Sequence, residues 1–418
     1  MIGLVILAGV VFAYAIVAGL FDRLSITGPL VLMVAGLIVG PGGLDLFTGS
    51  VGSESVKTLT ELALAVILFS DASSVSIDSA RTEAGVSVRL LGIGLPLTIA
   101  LGAVACHLLF PSASWAICGL VGSLLAPTDA ALGLAVVTNQ AVPASIRSAI
   151  NIESGLNDGL ATPFVYFFLA LALSNSTTGH WVRSLDQVLA AIVIGLVVGL
   201  ALGWLAAWAV ARGLTSARSR QLSVLIAGLF CYGLGIELGA NGFVAAYVAG
   251  FAFTIGSKGS LAPDAELCEE TGLYTSFAVW VLFGAFLLGP ILRSGVSWQA
   301  VLYAVLSLTV IRMVPVALSL IGTGFHLRTL AFIGWFGPRG LASVVFTIVA
   351  IDSLPHDLHL QTVVDAATLT IALSVLLHGL TSRPLALRYG RSITADDPER
   401  IAGAEGKLQK PPPGRSLP

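Results

Sequence analysis

The sequence predicts an all-α polytopic membrane protein of about 13 transmembrane helices, built as two inverted six-helix repeats with crossed, discontinuous helices 5 and 12. Three observations carry this. Hydrophobic residues fill 56% of the 418 positions and charged residues only 11%, whereas a soluble domain carries about 25% charged residues. The apolar residues gather in runs of about 20, the length that crosses a bilayer. Asp71, Asp129, Glu153, Asp158, Arg312 and Arg339 lie inside those runs. A charge at bilayer depth is costly, so such residues face a bundle interior or a wet cavity and usually mark an ion pathway.

Taken in order, the segments are 1–20, 27–46, 57–76, 87–110, 114–138, 146–174, 187–212, 219–238, 240–256, 270–293, 297–322, 328–352 and 363–383. The first resembles a signal peptide only superficially. It lacks a basic leading region and its apolar part is too long. The divisions are least sharp between the second and third segments and between the eighth and ninth.

The fifth and twelfth segments are broken in corresponding places. The fifth reads LLAPTDAALG, with Pro127-Thr128-Asp129 in mid-run, and the twelfth GWFGPRGLAS, with Gly337-Pro338-Arg339-Gly340 in mid-run. Pro and Gly within a spanning helix leave backbone groups unpaired, which is tolerated where they line a cavity. Matching interruptions in two halves point to a transporter site. Pairing segments 1–6 with 8–13 makes the breaks equivalent. The expected transmembrane domain is 1–383, with repeats at about 1–174 and 219–383 and a linker helix at about 187–212. Residues 384–418 form a short, Pro-rich cytoplasmic tail, expected to be disordered.

Orientation follows from basic residues, which favour the cytoplasmic side. With the C-terminus inside, Arg23, Arg81, Arg89, Arg147, Arg212, Arg218, Arg220, Lys258 and Arg328 fall in inner loops. Only Lys57, Arg183 and Arg293 fall in outer ones. The N-terminus is then outside.

Other classes find no support. No basic cluster accompanies a soluble fold, so nucleic acid is not an expected partner. Cys106, Cys118, Cys231 and Cys268 lack metal-ligand spacing and read as small core residues. The six histidines lie in loops or near segment ends and receive no assigned role. No cofactor is expected.

Counting from the inner ends at 1.5 Å per residue, Asp158 lies roughly 18 Å deep, Asp129 roughly 14 Å, Arg312 roughly 15 Å and Arg339 roughly 16 Å. Four charges from four helices thus share a layer, with Asp71 shallower. On the sixth helix, Ser154 and Asp158 are i,i+4 and share one face, while Glu153 and Asn157 share another about 100° away. One face can offer a hydroxyl and a carboxylate to an ion. The other can hold a structural pair.

APTDAALG, ESGLNDG, IRMVPV, GWFGPRGLAS and the closing LLHGLTSRPLA, in this order, resemble the sodium/proton exchanger family, the electroneutral branch of the monovalent cation:proton antiporters. ILFSDAS in the third segment resembles the family's acidic position there. The resemblance covers all thirteen segments. It implies that Asp158 is the ion- and proton-carrying carboxylate, and that Asn157 stands where electrogenic relatives have a second aspartate. Thr128 and Asp129 lie at the unwound crossover, and Ser154 and Asp71 help bind or admit the ion. The monovalent-cation ligands would be Asp158, Ser154, Thr128 and Asp71. Glu153 would pair with a buried arginine, assigned to Arg312 with Arg339 as the alternative. Arg339 would cap half-helix ends or steer ions. A homodimer is implied, formed through the bundle that lacks the crossed helices. ESGLND departs from the commoner EGESLFND, which leaves the choice among sodium, potassium and lithium open.

The expected function is a secondary active antiporter of the cell membrane, not an enzyme, with a role in pH homeostasis. It would exchange an alkali cation, sodium in the first instance, for a proton, one for one, by competition at Asp158. The alternative is a sodium-coupled organic anion symporter on a related crossed-helix fold. An intramembrane hydrolase lacks a histidine at the depth of Ser154 or Asp158, and a channel would show flux without obligatory exchange.

Overall fold

The computed structural model describes residues 2–24, 26–47, 53–74, 84–129, 132–173, 179–355 and 360–393. Arg81, Ala130, Ala131, His356, His359 and the tail from 394 lie outside the described residues, as do the side chains of His180 and Arg183. Among the described residues every regular element is helical.

The chain opens with α1 (Ile2–Leu24), α2 (Gly28–Val39) and α3 (Glu54–Ser74). Next, α4 runs as Ala84–Arg89, a π-turn at Leu90–Gly94, and Leu95–Leu109. The fifth segment splits into α5 (Trp115–Leu124) and the short α6 (Leu134–Val137). Then come α7 (Ala144–Leu173), α8 (Gly179–Ala211), α9 (Ala217–Glu237) and α10 (Gly242–Gly256). The helix α11 spans Glu266–Phe283, a π-turn at Gly284–Leu288, and Gly289–Ser294. The eleventh segment is interrupted at Thr309 into α12 (Trp298–Leu308) and α13 (Val310–Ser319). The twelfth splits into α14 (Leu327–Trp335) and α15 (Leu341–Ser353), and α16 (Leu360–Ser392) closes the fold.

Local chemistry sets several boundaries. Ser114, Ser216, Asn241 and Ser297 cap the starts of α5, α9, α10 and α12, each side chain accepting from a backbone N–H three residues on. Gly40-Pro41-Gly42-Gly43 ends α2. The main departure from the sequence boundaries is α16, which passes through Pro384 to Ser392. Among the described residues, eight helices are long and apolar enough to cross a membrane, and α2, α5, α10 and α15 are shorter apolar helices.

Helix contacts divide the molecule into two bundles. The first joins α4, α5, α6, α7, α12, α13, α14, α15 and α16. Val136, Ile146, Ile150, Val316, Ile333 and Phe336 form part of its core. The second joins α1, α2, α3, α8, α9, α10 and α11, with Phe69, Val224, Cys231, Phe253 and Cys268 in its core. Small residues let helices in the second bundle approach backbone to backbone. Gly195, Gly199 and Gly203 on α8 sit against Ala245, Ala249 and Phe253 on α10, with no room for a Cβ. This is the close packing that small residues at every fourth position permit in a membrane. The four cysteines are free and buried.

Candidate functional site

The two helix breaks pass each other at the centre of the first bundle. The backbone N–H of Asp129 donates to the Pro338 carbonyl at 2.8 Å. Each break supplies a charge that satisfies the ends of helices around it. Asp129 Oδ2 accepts from the Leu341 N–H at 3.2 Å, at the positive end of α15. Arg339 Nε donates to Leu125 O at 3.0 Å, beyond the last turn of α5, and Nη2 donates to Ser307 O at 2.7 Å, in the last turn of α12. Its Nη1 donates to Gly337 O at 2.5 Å. Arg339, 1% exposed, therefore caps negative helix ends rather than facing a carboxylate.

The break is anchored by α16. Arg339 N donates to Ser374 Oγ at 2.7 Å, Ser374 Oγ lies 3.1 Å from His378 Nδ1, and His378 Nε2 lies 2.8 Å from Trp335 O. His378 Nδ1 also lies 2.9 Å from the Ser374 carbonyl, so both ring nitrogens face backbone carbonyls, which can only accept. Two glycines of the second break leave no free space for a Cβ. A Cβ at Gly340 would overlap the Asp129 carboxylate, and one at Gly337 would overlap the Arg312 guanidinium.

On α7 the two faces separate as helical geometry requires. Glu153 turns into the bundle, where its Oε2 accepts from Arg312 Nη2 at 2.7 Å. Asn157 Nδ2 donates to Thr128 Oγ1 at 2.6 Å, and Thr128 Oγ1 lies 3.1 Å from Ser154 Oγ. Either hydroxyl of the Thr128–Ser154 pair can be the donor. The adjacent face turns Ser154, Gly155 and Asp158 to a cavity. Here α3 passes close by: a Cβ at Gly155 would lie 3.8 Å from Asp71 Cβ, an ordinary packing distance.

The cavity measures about 1410 Å³ and lies between the bundles. Asp129 and Asp158 line it from the first bundle, Asp71 and Glu269 from the second. Arg23 and Arg383 lie at its mouth, which opens on the face where α16 ends. This is called the C-terminal face below. Four carboxylates from two walls make the space suited to a cation and hostile to an organic anion. Asp158 is 8% exposed, through this cavity.

The structure thus brings Thr128, Asp129, Ser154, Asn157 and Asp158 together, sets Asp71 across the cavity, and groups Glu153, Arg312 and Arg339 behind them. Sequence reasoning missed Glu269, because the tenth segment was started at 270, whereas α11 begins at Glu266. It also passed over His378 as lying near a segment end. The continuation of α16 to Ser392 leaves that residue well inside the helix and buried. Its i,i+4 spacing from Ser374, opposite a Gly-Pro break, was the available signal.

A family model described as "Sodium/hydrogen exchanger, transmembrane" matches residues 9–388. The Na(+)/H(+) antiporter 2 of Zygosaccharomyces rouxii is 28% identical over 364 residues, covering 81% of this chain and 44% of that protein. The K(+)/H(+) antiporter NhaP2 of Shewanella baltica is 25% identical, covering 78% of this chain and 56% of that protein. The chain therefore spans about half the length of these relatives. The sodium proton antiporter MjNhaP1 from Methanocaldococcus jannaschii shares the fold, with a TM-score of 0.77 at 20% identity over 92% of this chain and 97% of that one.

Proposed function

The chain belongs to the sodium/hydrogen exchanger family, and from that premise we propose that it is a multi-pass antiporter exchanging a monovalent cation for a proton. The observation that carries this reading is Asp158. Of the two acids on α7, it alone opens onto the cavity, beside Ser154 and within reach of Thr128 through that hydroxyl.

The residues divide the work. Asp158 holds either the cation or the proton, and the hydroxyls of Ser154 and Thr128 supply further hard oxygen ligands. Asp71 and Glu269 attract cations into the cavity from the opposite wall. Asp129 and Arg339 hold the broken helices in register while the Glu153–Arg312 pair secures α7 to α13. Either loaded form leaves Asp158 neutralised, which permits the first bundle to move against the second and present the site to the other side. The bare carboxylate does not cross.

Sodium is the first candidate ion and potassium the second, since relatives are named for each. The four acidic groups around the cavity weigh against an organic anion as cargo. No resident cofactor is needed, because cation and proton are themselves the cargo. The C-terminal face is assigned to the cytoplasm of a cell membrane on the bias of basic residues. A homodimer through the second bundle follows the family resemblance.

The test is cation-dependent dequenching of a pH dye in proteoliposomes, run with sodium, potassium and lithium in turn and without organic solute. Proton movement driven by at least one alkali ion is expected. Absence of any cation-driven proton flux would overturn the reading.

A further inference from the structure

Ion pairs mark how the bundles hold together. Arg312–Glu153 lies within the first bundle, and Arg220–Asp264, at 3.0 Å, within the second. Lys57–Asp352 is different in kind. Lys57 Nζ on α3 meets Asp352 Oδ2 on α15 at 2.5 Å, so this pair crosses from the second bundle to the first.

Its position is as informative as its partners. Lys57 lies fourteen residues before Asp71 on α3, roughly 21 Å along the helix and away from the cavity mouth. Asp352 lies eleven residues after Leu341 on α15, roughly 17 Å from the end that Asp129 caps. The pair therefore bridges the bundles on the face opposite the cavity. Its side chains are 36% and 33% exposed, so water already reaches them, and an exposed pair of this kind biases an equilibrium by no more than about fivefold. That is firm enough to favour one state and weak enough to break in every cycle.

A second partner waits on the same helix. Glu61 is i,i+4 from Lys57, half-buried, and its Oε2 accepts from the Tyr232 hydroxyl of α9 at 3.0 Å. Both Glu61 and Tyr232 belong to the second bundle. They stay with Lys57 when the first bundle moves.

We propose that Lys57 and Asp352 form a latch that closes the face opposite the cavity while Asp158 is open to the C-terminal face, and that Lys57 passes from Asp352 to Glu61 when the bundles part. This rests on the alternating-access reading above. The pair then sets how the site divides its time between the two faces, without touching the ion.

The test uses the full chain in proteoliposomes. Lys57→Cys with Asp352→Cys, bridged by a short bis-methanethiosulfonate, should lose exchange and regain it on reduction with dithiothreitol. The native cysteines are buried and leave the reagent to the new pair. Lys57→Met and Asp352→Asn should each keep exchange. Apparent affinity scales with the fraction of protein in the competent state. The ratio of apparent cation affinities at the two faces should therefore shift toward the opposite face by up to about fivefold. The charge-swapped double variant, Lys57→Asp with Asp352→Lys, should return the ratio to its starting value. Undiminished exchange in the bridged protein, an unmoved ratio in both neutral variants, or a swap that behaves like the single variants would each overturn the latch. Failure of the cation:proton reading looks different, because the untreated parent protein would then show no exchange at all.

Discussion

Arg312 Nη2 donates to Glu153 Oε2 at 2.7 Å, and neither side chain is more than 2% exposed. The other arginine at this depth, Arg339, is occupied by the carbonyls of Leu125, Gly337 and Ser307. Removing one partner of a buried pair leaves an uncompensated charge, at a cost of about 3–5 kcal/mol. Glu153→Gln and Arg312→Met should each lower the melting temperature in detergent, and the double variant should lose less than the sum of the two. Strict additivity would mean that the contact carries no coupling.

Asp158→Asn keeps the shape of the side chain and removes both its charge and its titrating proton. Exchange should vanish while the melting temperature stays near that of the parent, because Asp158 faces the cavity rather than a packed partner. Flux above a small fraction of the parent rate would move the carrier role elsewhere, with Asp71 the next position to examine.

Competition at one carboxylate fixes the direction of the pH effect. The cation needs the deprotonated form, so lowering the pH takes sites away from it. Below the titration range of the site, the apparent cation dissociation constant should rise about tenfold per pH unit. At high pH the proton-loaded return becomes scarce and the rate falls again, giving a bell-shaped profile. Initial rates against cation concentration at several pH values check this, and a constant apparent affinity throughout would exclude competition.

Exchange should be insensitive to membrane potential. Asn157 does not titrate, and Arg312 is held in its pair with Glu153. Asp158 then carries one cation or one proton, and the loaded site has the same charge in both half-cycles. With sodium as substrate and the potential clamped by potassium and valinomycin, the rate and end-point should not move, provided potassium transport is first excluded. A shift with potential would point to a second titrating group.

Gly340→Ala should damage the crossover directly. Its Cβ would overlap the Asp129 carboxylate that caps α15. Overpacking of this kind costs about 1–3 kcal/mol, so thermal stability and exchange should fall together. Gly9→Ala on α1, where a Cβ meets nothing within 4 Å, is the matched control and should be neutral.

Much of this was legible before any coordinates. Segment length and composition give the spans, and the Pro-Thr-Asp and Gly-Pro-Arg-Gly interruptions give the crossing point. The i,i+4 geometry of α7 separates Ser154 and Asp158 from Glu153 and Asn157. What stayed hidden depends on contacts that no local pattern encodes. Whether Glu153 meets Arg312 or Arg339 turns on a contact between α7 and α13 across 159 positions. Lys57 and Asp352 are 295 positions apart, and each alone reads as an ordinary interfacial charge. Glu269 fell to a boundary placed a few residues late.

The imidazole of His378 draws a limit around the proton's route. Its Nε2 lies against the Trp335 carbonyl, and its Nδ1 lies against both the carbonyl and the hydroxyl of Ser374, the hydroxyl itself accepting from Arg339 N. A relay must hand on what it receives, and both nitrogens of this ring are engaged by groups that hold the helix break in place. The one histidine fixed into the crossover therefore works as a rivet. Traffic through the centre of the molecule is left to carboxylates.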